Sequence, residues 1–341
     1  MNQGIKQLKC STYDIVKLLH SVGTFYYWAN EGNLGDLLIA EATRQLFDRE
    51  KLNWRPYHPD SPPAEPSYNL VYGGGGRFTN HWGGLDKHLS HLTAPRVRQC
   101  IILPHSFYRV DSFLQAFDHR HTLFCRGERT FRYVRDTVRE EVQVMMADDM
   151  ALSLQLDNLP TNGFTPPGAA EEEQQLAMLL QWNVGGIMKR KVRQATIRSK
   201  IQGQYRKVAF LLRTDKEKNT SISSRMAYDI SLVWNSSCAG NKYTPEIVRQ
   251  FAAAFQYPDI IVTDRLHAGI LALLCGKEVY LLDNDYGKLS EVYQLSLQDK
   301  FPAHLIAGNT LPPELQKAFC KLENGLFAKS YLILRKLLKI T

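Results

Sequence analysis

Asp259-Ile260-Ile261-Val262-Thr263-Asp264-Arg265-Leu266-His267-Ala268-Gly269-Ile270-Leu271-Ala272-Leu273-Leu274 reads as a buried strand that turns through a short polar segment into an apolar helix. A helix that starts at a strand end leaves unpaired backbone N–H groups and the positive end of its dipole above the sheet, where phosphate or carboxylate binds. Burial accounts for the Ile-Ile-Val run but not for the two polar residues beside it. Arg265 adds a bidentate donor fork, and His267 adds an imidazole that holds or moves a proton near neutral pH. The ordinary alternative makes both residues surface positions of a strand-to-helix loop.

The flanking sequence favours a site. Gly276 stops the helix, and Glu278-Val279-Tyr280-Leu281-Leu282-Asp283 reads as the next buried strand, ending in Asn284-Asp285-Tyr286-Gly287-Lys288. In a parallel β-α-β unit both polar loops leave the same sheet edge, which is where open α/β sheets hold ligands. Lys288 thus adds a second positive charge to one crevice. Upstream, Lys207-Val208-Ala209-Phe210-Leu211-Leu212 reads as the first strand of this half and ends in another cation, Arg213.

From Leu34 to about Leu156 the same β-loop-α rhythm predicts a second parallel sheet. Asn69-Leu70-Val71-Tyr72 ends in Gly73-Gly74-Gly75-Gly76, Cys100-Ile101-Ile102-Leu103 in Pro104-His105-Ser106, and Thr122-Leu123-Phe124-Cys125 in Arg126-Gly127-Glu128. Asn158 to Glu173, with its prolines, glycines and a Glu triplet, reads as a linker. The expected division is an N-terminal domain over 1–157, a linker and basic connector over 158–206, a C-terminal domain over 207–310, and closing amphipathic helices over 311–341.

With 44% apolar and 22% charged residues over 341 positions, the composition is that of a globular protein of about two domains. No apolar run reaches the roughly 20 residues of a membrane span, and the N-terminal residues lack a signal-peptide pattern, so a cytoplasmic location is expected. The six cysteines are scattered without zinc-ligand spacing and read as reduced thiols, several of them in the core. Nine basic and no acidic residues fall between Gln174 and Thr214, so the rest of a chain of net charge +8 sums to about −1. The segment 189–207 reads as a solvated helix face or as a peripheral contact with the inner face of a membrane. Nucleic acid is not expected, because the segment has little interleaved aromatic residue and no binding module.

Other motifs carry two readings each. In Gly32-Asn33-Leu34-Gly35-Asp36, Asp36 is either a cap of the helix Leu37 to Phe47 or a carboxylate in the cleft. Four consecutive glycines at Gly73 to Gly76 point to close approach of a ligand or helix, but no P-loop or dinucleotide spacing follows. Arg126 opposes the dipole of the helix after it and therefore calls for an acid or an anionic ligand. Asp148-Asp149 is read as a cap rather than a metal site, and no metal or cofactor is expected. Pro104-His105-Ser106 lacks the turn of a serine nucleophile.

Taken in order and spacing, Gly32-Asn33-Leu34-Gly35-Asp36, the glycine run, Leu103-Pro104-His105-Ser106, Arg126-Gly127-Glu128, Ala147-Asp148-Asp149, Thr263-Asp264-Arg265-Leu266-His267, Asp283-Asn284 and Gly287-Lys288 resemble the polysaccharide pyruvyl transferase family. The resemblance implies a GT-B-like pair of Rossmann-type parallel-sheet domains facing a cleft. It implies phosphoenolpyruvate as donor and co-substrate, and as acceptor a sugar of a surface polysaccharide or of its lipid-linked precursor. Such a donor carries two anionic groups and calls for Arg126, Arg213, Arg265, Leu266, His267 and Lys288 around it. His267, Asp36 and Arg265 become the catalytic candidates, with His267 as acid or phosphate partner and Asp36 as base, the reverse remaining open. Asn33, Gly74, Gly75, His105 and Ser106 are the acceptor-side candidates. His105 stands where much of the family has Gln, and Phe78, His81 and Trp82 are read as core or as a sugar platform. Two competing readings are a GT-B glycosyltransferase with a nucleotide-sugar donor, its ribose held by Glu291, and a non-catalytic carbohydrate-binding protein.

Overall fold

The computed structural model describes residues 9–30, 32–159, 208–213, 215, 229–232, 244–253, 255, 258–283, 287–306, 308 and 310–320. Short apolar runs form two all-parallel sheets. The first holds β1 (Lys9–Cys10), β2 (Phe25–Trp28), β3 (Trp54–Pro56), β4 (Tyr68–Tyr72), β5 (Val97–His105), β6 (His121–Cys125) and β7 (Gln143–Ala147) in the order β1-β7-β6-β5-β4-β2-β3. The second holds β8 (Val208–Leu211), β9 (Ile260–Thr263), β10 (Glu278–Leu282) and β11 (Ala303–Ile306) in the order β11-β10-β9-β8. Every pairing is parallel, so the residues that follow the strands of each sheet emerge along one edge. The protein is thus α/β with two parallel sheets.

Among the described residues the α-helices are α1 (Thr12–Val22), α2 (Leu34–Arg49), α3 (Leu85–Leu92), α4 (Asp111–Gln115), α5 (Glu128–Thr137), α6 (Thr244–Ala253), α7 (Leu266–Leu274) and α8 (Lys288–Val292), and residues 313–320 are helical as well. Most residues of α2 and α7 are buried because each helix packs on more than one side, and α7 is apolar nearly throughout. One apolar cluster joins Leu34, Leu37 and Leu38 of α2 to Val71 and Ile101 of the first sheet. It also includes Val248 and Phe251 of α6, Leu271 of α7 and Ile261 of the second sheet. Each such side chain buried contributes about 1.5–3 kcal/mol, so the two halves share a core through α2.

Several expectations shift. α2 begins at Leu34 with Asn33 as its N-cap, and Asp36 is the third residue of the first turn rather than the cap. α5 begins at Glu128, two residues earlier than the apolar pattern indicates. β1, β2, β3 and β11 have no counterpart in the sequence reading. The segment 160–207, which contains the basic connector, lies outside the described residues, as do Cys238 and residues 321–341. Cys100 and Cys125 are buried free thiols, Cys10 and Cys275 are half-buried, and Cys320 is exposed. No described helix is long and apolar enough to cross a membrane.

Candidate active site

β6 delivers Arg126 to the edge of the first sheet, where it is fully buried. Its Nε donates to Ser106 Oγ at 2.9 Å, and its Nη1 donates to Asp149 Oδ2 at 2.6 Å. Nη2 has no hydrogen-bond partner among the described residues. A buried guanidinium left one donor short is destabilising unless a ligand completes it. A Cβ added at Gly76 would lie 3.2 Å from that Nη2 and 2.9 Å from Lys288 Nζ. Two cations from different halves therefore converge where the glycine run leaves β4, and the missing side chain is what admits them.

Lys288 opens α8, and the next turn pins that helix to the first half. Glu291 accepts from Arg129 Nε at 2.9 Å and from Thr130 Oγ1 at 2.7 Å, both in the first turn of α5. A Cβ at Gly127 would fall 2.3 Å from Glu291 Oε2, so that glycine makes room for the carboxylate. Farther on, Ser296 Oγ donates to Asp148 at 2.7 Å, and Lys9 pairs with the same carboxylate at 2.8 Å. Glu291, expected as a ribose partner in the glycosyltransferase reading, instead holds the two halves together.

His267 reaches across from α7. Its Nε2 lies 3.3 Å from Arg126 Nη1 and 3.5 Å from Asp149 Oδ2. Burial lowers the imidazole's affinity for a proton, and Asp149 and Asp36 oppose that shift in part. Asp149 is buried too. Burial raises its carboxyl, but the charges of Arg126 and His267 and the Ala151 N–H outweigh this and hold it far below the usual carboxylate range. Asp36 comes from the first turn of α2, accepting from Asn33 N at 2.9 Å and from Asn30 Nδ2 at 3.2 Å. Burial raises its carboxyl, against the charges of His267, Lys288 and Arg126. A Cβ at Gly35 would fall 2.4 Å from His267 Nδ1, so α2 meets the imidazole through a bare backbone.

Arg265 and Arg213 have carboxylate partners of their own. Arg265 Nη2 donates to Asp215 Oδ2 at 2.7 Å, and its Nε donates to Asp229 Oδ1 at 2.8 Å. Arg213 donates to both oxygens of Asp215, at 2.9 and 3.0 Å, and its backbone N–H to Asp264 Oδ1 at 2.7 Å. Both guanidiniums thus meet carboxylates of the second half. Leu266, the first residue of α7, packs in the shared core.

The acceptor-side candidates also have defined partners. His105 is fully buried; its Nε2 accepts from Arg77 N at 2.9 Å, and its Nδ1 lies 3.3 Å from Gly73 O. Burial, with Arg126 nearby, drives its proton affinity well below the usual imidazole value, so it is a neutral brace for the loop after β4. Asn33 Oδ1 caps α2 through Gly35 N at 2.8 Å, and Ser106 Oγ orients Arg126. Gly75, at φ +143°, has its would-be Cβ 2.5 Å from Asn30 Nδ2, and Gly74 lies against Pro104 O in the same way at 2.8 Å. Phe78 is core, stacking on His105 at 4.4 Å, whereas Trp82 is 36% exposed.

The structure brings together Asp36, Arg126, His267, Lys288 and Ser106 from the expected set. It adds Asp149 and Asn30, which the sequence reading did not place in the site. Asp149 does cap the turn at Met150–Ser153 as expected, through Oδ1 to Ala151 N at 2.9 Å, and the free Oδ2 is what reaches the site. Among the described residues, no group of three or more His, Cys, Asp or Glu could hold a metal ion.

The chain is similar to a solved structure of an uncharacterized protein from Klebsiella pneumoniae subsp. pneumoniae NTUH-K2044. Identity is 25% and the TM-score 0.64, over 90% of this chain and 100% of that one. No curated protein matches the chain. The family model for polysaccharide pyruvyl transferase matches residues 33–286, a span that runs from the cap of α2 past His267 and β10. With most of its length matched, and with Asp36, Arg126, Asp149 and His267 inside that span, the chain belongs to the polysaccharide pyruvyl transferase family.

Proposed function

We propose that the protein transfers the pyruvyl group of phosphoenolpyruvate to two hydroxyls of one sugar, in a surface polysaccharide or its lipid-linked precursor, forming a pyruvate ketal and releasing phosphate. The observation that carries this reading is the buried Arg126 Nη2 without a partner, beside Lys288 Nζ and within one cluster with His267 and Asp36. A small anion with a proton-transfer step fits that arrangement. On this reading the two sheets form a GT-B-like pair of Rossmann-type domains, divided at 1–157 and 207–310, with a cleft between them. The protein works in the cytoplasm, where the basic segment 189–207 would meet the inner membrane face and a lipid-linked acceptor.

The chemistry needs one acid and one base. A proton is added to the methylene carbon of the enol, and a sugar hydroxyl attacks C2 while losing its own proton. A second hydroxyl of the same sugar then displaces phosphate from C2 and closes the ketal, its proton leaving on the phosphate. The electrostatics support the reverse of the first assignment. Burial favours the protonated form of Asp36, suiting it to be the acid, and the neutral form of His267, suiting it to be the base. Arg126 and Lys288 take the phosphate or the carboxylate. The nucleotide-sugar reading gains no support, because Glu291 is engaged by Arg129 and Thr130.

Calorimetric titration with phosphoenolpyruvate, and separately with nucleotide sugars, tests the donor. Saturable phosphoenolpyruvate binding that Lys288→Met weakens about tenfold or more, with sugar-dependent phosphate release lost in Asp36→Asn, is the expected result. Binding of a nucleotide sugar alone would overturn the proposal.

A further inference from the structure

We propose that Asp149 is a positioning residue that gives His267 a partner in both of its protonation states. The inference rests on the reading of His267 as a proton-transfer group. Nε2 of His267 lies between a donor, Arg126 Nη1 at 3.3 Å, and an acceptor, Asp149 Oδ2 at 3.5 Å. The donor and acceptor are themselves joined at 2.6 Å. A neutral imidazole with its proton on Nδ1 accepts from Arg126 through Nε2. An imidazolium turns the same nitrogen into a donor to Asp149. In neither state is Nε2 left without a partner, so a proton can arrive and leave this nitrogen without the side chain moving.

The helix-capping role alone does not account for this arrangement. Capping uses Oδ1, which accepts from Ala151 N at 2.9 Å, and an Asn would serve as well. Only a carboxylate keeps a second acceptor for Arg126 and His267 while it caps. Asp149 follows β7 of the first sheet and His267 opens α7 of the second half, so the contact also registers one half on the other. The charged groups facing the imidazole are Asp149, Arg126 and Asp36, from the ends of β7 and β6 and from α2.

Nitrogen NMR of 15N-histidine-labelled protein tests the idea without substrate. In the wild type, Nε2 of neutral His267 is expected to be unprotonated and to gain its proton as pH falls. In Asp149→Asn the imidazole pKa should drop by about 1 unit or more, since a carboxylate partner favours the charged form by that order, and Asp149→Glu should recover part of the shift. A wild-type imidazole that carries its neutral proton on Nε2, or a pKa unmoved by Asp149→Asn, would overturn the proposal. If Asp149→Asn fails to fold, the wild-type titration still decides. If the wild type turns over no phosphoenolpyruvate, the functional reading fails while the NMR result stands on its own.

Discussion

Asp264 offers a sharp test of the electrostatics beside the site. Burial raises its carboxyl from 3.8 to about 6, against the Arg213 N–H bond and the charges of Arg213 and Arg265. Because the folded pKa is the higher one, the folded protein holds between those values a proton that the unfolded chain has released. Stability contributed by this group is therefore complete below the unfolded value and is lost as pH rises through about 6. Two units correspond to ~3 kcal/mol in all, of which ~1.4 kcal/mol falls between about pH 5 and 8. Asp264→Asn removes the titration and keeps an oxygen for the 2.7 Å bond from Arg213 N. Its amide nitrogen replaces Oδ2, which has no hydrogen-bond partner among the described residues. Any penalty for burying that amide is the same at every pH and drops out of the comparison. In urea denaturation at about pH 5, 6.5 and 8, the stability of the variant relative to wild type should improve by ~1.4 kcal/mol from the lowest to the highest pH. A relative stability that falls over this range would refute the reasoning, as would one that stays flat, which would mean that Asp264 is ionised in the fold at all these pH values.

Three further variants probe how the halves meet. Glu291→Gln keeps an acceptor for Thr130 and gives up only an ion pair to Arg129, whose side chain is 60% exposed, so thermal unfolding should register less than ~1 kcal/mol. Glu291→Ala removes the half-buried hydrogen bond from Thr130 as well, at about 1.5–3 kcal/mol, and by loosening α8 should weaken phosphoenolpyruvate binding in calorimetry more than Glu291→Gln does. Gly35→Ala would ordinarily stabilise a helix by about 0.5–1 kcal/mol, but here the new Cβ falls 2.4 Å from His267 Nδ1 and 2.9 Å from His267 Cβ. Circular dichroism should show a folded protein with lower thermal stability and little turnover, whereas a stabilised, fully active variant would mean that α2 does not abut the imidazole.

Much of the fold was legible because its strands are aliphatic and its helices periodic. The β9-α7-β10 unit follows from Ile260-Ile261-Val262 and Leu271 to Leu274, and the structure pairs β9 with β10 in parallel. β2 was missed because Phe25-Tyr26-Tyr27-Trp28 has no aliphatic residue, although three of its four side chains are buried. β11 was missed because an edge strand buries less: Ala303 and Ile306 are inside while His304 is exposed. The start of α2 was ambiguous for a different reason. Asn33 and Asp36 are both capping residue types three positions apart, and the structure uses both in one reciprocal box.

The site was legible as a set of strand-end residues but not as a set of partners. Arg265 and His267 were read together because they are close in sequence, yet Arg265 is the extended N-cap of α7 while His267 lies in its first turn, so the two side chains need not share a face. The structure shows the consequence. Arg265 turns to Asp215 and Asp229 of its own half, while His267 turns to Arg126 and Asp149 of the other. Arg126, a cation at the unfavourable positive end of a helix, is the residue whose placement carries most meaning. A cation there is tolerable only with a counter-charge, and Asp149 supplies one while leaving Nη2 unanswered. The same helix-dipole argument that flags an unfavourable Arg from sequence therefore predicts both its acidic partner and its remaining demand for an anion. What sequence could not show is that the partner would be the Asp already assigned to a cap, because a carboxylate has two oxygens and capping engages only one.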